Sequence, residues 1–161
     1  MKRLLIILLA VCFLCLPITA IAATTGSITG VSSKVHDIDG TFTFIKVVLT
    51  CTADVTAHSY PATVINDLIT HKIVGMSLYT VGTYKGGTAP TDGTDLTITQ
   101  DSIDILDTKG VNLIDSTTSE ITWAGSSTQD FAVPIVGDIT ANITGNSVNS
   151  AISYIVLIFG K

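Results

Sequence analysis

A single arginine, a single glutamate and a single tryptophan occur in the 161-residue chain. The arginine is Arg3, inside an N-terminal segment that reads as a removable leader. The rest of the chain therefore has no guanidinium fork to grip phosphates or base edges. Without Lys2 and Arg3, six lysines face 13 acidic residues, a formal charge of −7. An acidic, arginine-free domain is a poor partner for nucleic acid or for an anionic membrane. With Glu120 as the only glutamate, no pair of Glu side chains is available for glycoside hydrolysis. Acid–base work would fall to two aspartates brought together by the fold.

Cysteine is equally scarce. Cys12 and Cys15 leave with the leader, and Cys51 remains alone, which excludes an intrachain disulfide. Flanked by alternating apolar residues, Cys51 is expected to be a small core side chain. The three histidines, His36, His58 and His71, form no H-x-x-x-H pair, so a zinc site would need ligands that converge through the fold. Ser and Thr are abundant, but there is no G-x-S-x-G elbow. The run Gly86–Gly93 lacks the lysine and the strand–helix setting of a phosphate loop. No catalytic residue and no cofactor are assigned.

What is present begins with an address. Lys2 and Arg3 precede an uncharged apolar run, Leu4 to Leu16, which Pro17 breaks before Ala20-Ile21-Ala22. This is the order of a secretory signal with an A-x-A cleavage site, placing the mature start at Ala23. The run is shorter than the roughly 20 residues of a membrane span. The expected organisation is a signal peptide over 1–22 and a single domain over 23–161, with no membrane contact after cleavage.

Along the mature chain, short apolar-alternating segments are separated by turn residues, and helix signals are nearly absent. Ser27 to Val35 reads as a first edge strand and His36-Asp-Ile-Asp-Gly40 as a turn. Thr41 to Val55 reads as a half-buried strand, with a bulge near Phe44–Ile45 to bring Phe42 and Phe44 to the core. Pro61 to His71 is the one helical candidate, on the stripe Val64, Ile65, Leu68, Ile69. Lys72 to Tyr84, Asp95 to Thr99, Gln129 to Ile135 and Asp138 to Thr144 read as further strands. Ser102 to Leu106 is expected to continue beyond a bend at Gln100–Asp101. Asp115 to Glu120 suits one capped helical turn. Between Val111 and Ser126 the expected core anchors are Leu113, Ile114, Ile121 and Trp123. Gly145–Asn146 is expected to be a hairpin turn. The pattern predicts an all-β fold, an antiparallel β-sandwich of jelly-roll or immunoglobulin-like type with at most one short helix.

The last stretch, Ala151 to Phe159, is apolar on both faces. Ile155, Leu157 and Phe159 alternate with Ile152, Tyr154, Val156 and Ile158. A strand of this kind is usually covered on both sides, and in a small protein the second cover can come from another subunit. Tyr154, Val156 and Ile158 are the expected interface residues. The weaker candidates are oxygen ligands at turns. Asp37-Ile-Asp39-Gly40 resembles part of a calcium loop but lacks its third ligand position and its distant glutamate, and Asp101 and Asp104 add carboxylates near another turn. Tyr60, Tyr79, Tyr84, Tyr154 and Trp123 could form a platform for a sugar or a partner.

Two stretches resemble a group of small β-rich virion structural proteins of tailed phages, of the kind that decorate heads and tails. One is Gly86-Gly-Thr-Ala-Pro-Thr-Asp-Gly-Thr-Asp-Leu-Thr-Ile-Thr99, running on through Asp101-Ser-Ile-Asp-Ile-Leu106. The other is Ile143 to Phe159. The resemblance implies a β-sandwich on a particle surface, self-associating and without enzymatic activity. It transfers no functional residues. The expected function is that of a non-enzymatic structural or interaction protein, a homo-oligomer or a partner of another surface protein. Its expected location is secreted, periplasmic or at the cell surface, or in a virion if residues 1–22 are not an export signal. The alternative is a secreted sandwich that binds carbohydrate or calcium.

Overall fold

A computed structural model describes residues 25–36, 42–125 and 132–161. The leader expected at 1–22, Asp37 and Asp39 lie outside the described residues. Among the described residues, ten strands form two antiparallel sheets: β1 (Ser27–His36), β2 (Thr43–Thr52), β3 (Thr63–Val64), β4 (Ser77–Lys85), β5 (Asp95–Gln100), β6 (Ile103–Asp104), β7 (Glu120–Trp123), β8 (Val133–Pro134), β9 (Ile139–Thr144) and β10 (Ile152–Gly160). The first sheet runs β1-β2-β10-β4-β7, with β8 also on β4. The second runs β3-β9-β5-β6. The fold is an all-β sandwich.

The strongest alternation takes the central place. β10 lies in the middle of the first sheet, between β2 and β4. Its Ile155, Leu157 and Phe159 stand beside Leu49, Val47 and Ile45 of β2, and all six are buried. From the second sheet, Leu96 and Ile98 of β5 and Ile139, Ala141 and Ile143 of β9 complete the same core. Each large aliphatic side chain buried there contributes about 1.5–3 kcal/mol. A slip of one residue in β10 would turn the whole set outward, so the core fixes the register. Cys51 lies in this core as a buried thiol.

Several local expectations are corrected. No helix forms over 61–71: Thr63–Val64 pairs with β9, and only Ile65–Leu68 makes a single 3-10 turn. The Asn66 side chain there accepts a hydrogen bond from the Ile139 N–H. The stripe has helical spacing, but sheet pairing outcompetes it. β2 carries no bulge, since its pairing with β1 and β10 is continuous, and Phe44 stays on the outer side. The irregularity lies in β4, where the pairing with β10 shifts between Ile158 and Phe159. Tyr79 is the extra residue, so Leu78 and Val81 both point inward.

One residue beyond the bend expected at Gln100–Asp101, the chain reverses at Asp101–Ser102. Both residues have positive φ, 50° and 67°, and β6 folds back on β5 with Gln100 opposite Ile103. Gly145–Asn146 is not a hairpin, because it carries the chain from β9 in one sheet to β10 in the other. Asn146 braces that crossing. Its carbonyl oxygen accepts from the Thr91 and Val148 N–H groups, and its amide donates to the His58 and Val148 carbonyls. Residues 116–118 are a loop held by Asp115, not a helical turn.

Candidate interaction face

The two outer faces of the sandwich differ in chemistry. On the second sheet, the residues that alternate with the buried ones are Asp95, Thr97 and Thr99 on β5, opposite Thr144, Asn142 and Thr140 on β9. Threonine, asparagine and aspartate make an ordinary solvated sheet face. On the first sheet the same positions mix threonine, serine and one lysine with a band of valine, isoleucine and aromatic residues.

Register sets out that face row by row. The middle row runs Val31, Val48, Val156, Gly82, Ile121 across all five strands. One row towards the C-terminal end of β10 come Ser33, Lys46, Ile158, Thr80 and Trp123. On the other side come Thr29, Thr50, Tyr154 and Tyr84. The Tyr84 and Tyr154 rings are stacked, with centroids 4.7 Å apart and planes 17° apart. At the far end, Phe44 and Tyr79 meet edge to face at 6.4 Å. Their rings cover Gly160, where a Cβ would lie 2.7 Å from Tyr79 and 3.0 Å from Phe44. Glycine there lets the two rings close over the end of β10.

The expected interface residues Tyr154, Val156 and Ile158 are brought together on this face, each half-buried by its neighbours. Val31 is 71% exposed, Ile121 74%, Trp123 53% and Tyr84 38%. Ile121 and Trp123 were expected in the core and instead stand outside. Of the segment's anchors, only Leu113 and Ile114 are buried. The signal that could have placed Ile121 and Trp123 is their i, i+2 spacing with Glu120 and Thr122, which puts both on one strand face. Across the rows described, Lys46 is the single charge.

Polar groups elsewhere are tied into the fold. Ser32 Oγ lies 2.7 Å from His71 Nδ1 and accepts the His71 backbone N–H. This serine–histidine pair joins β1 to the chain that follows the 3-10 turn. His58 sits in a loop with φ of 59°. Asp101 lies at the β5–β6 reversal, and Asp104 accepts the Leu106 N–H at 3.0 Å. Burial raises the Asp104 pKa, partly offset by that bond. The backbone N–H groups of Thr118 and Thr117, with the Thr117 hydroxyl, hold the Asp115 pKa far down. The N–H groups of Ala57 and Thr56 lower that of Asp54. Burial pushes the Cys51 thiol up to about 12. Tyr60 is a core residue and no part of a platform, and its hydroxyl lies 3.3 Å from Ser153 Oγ.

Among the described residues, no cavity opens and no three metal-ligating side chains converge. No helix among them is long and apolar enough to cross a membrane. Compared with known proteins, the chain matches no family model, no curated sequence and no solved structure. The outer face of the first sheet is thus a broad surface on which Lys46 is the single charge of the rows described.

Proposed function

We propose that the chain is an exported, non-enzymatic structural protein that self-associates or decorates a particle or cell surface. The observation that carries this reading is the outer face of the first sheet, where Val31, Val48, Val156, Ile158, Ile121, Trp123 and two tyrosines stand among a few threonines, while the opposite face of β5 and β9 carries only threonine, asparagine and aspartate. Contiguous exposed apolar area beyond a few hundred Å² marks interaction sites in folded proteins. The basic and apolar order of residues 2–16 supports export. The two virion-like stretches support a particle-surface role, and they are neighbours in space: β5 pairs with β9, and Thr91 bonds to Asn146 and Ser147.

Light scattering on material recovered from the exported fraction tests the reading. The expected result is a chain that begins at Ala23 and has the mass of a closed oligomer. A concentration-independent monomer would overturn self-association. A secreted carbohydrate- or calcium-binding module is the competing reading, favoured by the exposed Tyr84 ring. It predicts such a monomer, with a melting temperature that rises on adding glycan or calcium.

A further inference from the structure

We infer that the outer face of the first sheet is covered by a second copy of the same chain, the two copies packing face to face through β10. The inference rests on the self-association proposed above and names its surface and its partner. Three observations select a second copy.

The first is area. Four strands about 30 Å long and the shorter β7, at a spacing of about 4.8 Å, give roughly 600 Å² of face. A stable pair of proteins buries about 600–1,000 Å² on each partner, so this face, taken whole, reaches the lower end of what a dimer requires. The second is charge. The chain carries 13 acidic residues, yet the rows of this face hold none of them, and Lys46 is their one charged group. Two acidic chains that meet here bring together the one broad surface on which they do not repel. A basic partner would find no carboxylates on it. The third is relief. Gly82 puts no side chain between Val156 and Ile121, and a Cβ there would meet only the Glu120 carbonyl, at 3.6 Å. The middle row therefore sets valine side chains beside a position without one, so that a valine of a second copy can lie against the backbone of Gly82. A self-complementary face of this kind suits a two-fold axis, in which each patch meets its own copy.

The experiment is the solution mass of the full exported protein and of four variants, each checked for folding by circular dichroism. Val156→Glu places a charge at the centre of the face. Val31→Lys and Ile121→Lys act at its two margins, where the native side chains are already mostly exposed, so the fold does not depend on them. Thr97→Lys changes the opposite, polar face and serves as the control. The expected result is that wild type and Thr97→Lys share one oligomeric mass, while Ile121→Lys and Val31→Lys shift it towards the protomer and Val156→Glu reduces it to the protomer. A wild-type oligomer whose mass survives both margin variants overturns this face while leaving self-association standing. A monomeric wild type overturns both.

Discussion

Ser153 is a polar side chain in the innermost layer of the sandwich, fully buried on the face that Ile155, Leu157 and Phe159 share. Its hydroxyl meets that of Tyr60, which also donates to the Ala151 carbonyl at 3.3 Å. A buried hydroxyl stripped of its partner costs more than the bond itself gains. Tyr60→Phe should therefore lower stability by about 1–2 kcal/mol, and adding Ser153→Ala should restore part of the loss. Denaturant titration of the two single variants and the double variant checks this, and strictly additive losses would contradict it. At the surface, Asp115 makes a prediction in pH. Its folded-state pKa is lowered, so its contribution is present above the ordinary value of about 3.9 and is lost as pH falls through the folded value. Asp115→Ala should be less stable than wild type at neutral pH, with the gap closing below about pH 4. Thermal melts across that range test it, and a gap independent of pH would refute it. Asp104 runs the other way. Its raised pKa favours the fold below about 3.9 and loses that effect as pH rises.

At the scale of elements, the β5–β6 reversal holds two non-glycine residues in the left-handed region. This conformation costs an L-residue roughly 1–2 kcal/mol, and a two-residue turn with both φ values positive favours glycine at its second position. Ser102→Gly should raise stability by about 0.5 kcal/mol once the greater freedom of glycine in the unfolded chain is set against the relief. A lowered melting temperature would argue against this account of the turn. The same reversal shows why parts of the fold were not legible in the sequence. Asp-Ser carries a weak turn signal, so 102–106 read as a continued strand. The stripe Val64, Ile65, Leu68, Ile69 satisfies helical spacing equally well, and nothing local announces that Thr140 and Ile139 will compete for Val64 and Asn66. The Tyr79 bulge shifts the phase of β4 without any glycine or proline at the shift. β10 was legible as a strand because a run of β-branched, aromatic and aliphatic residues lies between turn signals. The period of two sorts Ile155, Leu157 and Phe159 from Tyr154, Val156 and Ile158, although the sequence alone did not say which set points inward. Ile121 and Trp123 were misplaced because apolar character alone does not say inside. Their spacing on a four-residue strand is too short a record to show which way they face.

For the whole molecule, the difference between its two outer faces is the feature that a solitary sandwich does not explain. One face is built of threonine, asparagine and aspartate, and the other of Val31, Val48, Tyr154, Val156, Ile158, Ile121 and Trp123. A second copy on the apolar face gives β10 a cover on both sides and leaves the acidic turns in solvent. The chain carries its own reporter for this arrangement. Trp123 is the only tryptophan, stands on that face and is half exposed in the single chain. The most direct measurement is the quenching of its fluorescence by acrylamide along a dilution series of the purified protein, with solution mass followed in parallel. Face-to-face pairing predicts a blue-shifted emission that resists quenching in the concentrated oligomer and becomes red-shifted and readily quenched as the mass falls to the protomer. Emission and quenching that stay the same while the mass changes would place the contact elsewhere and contradict the account.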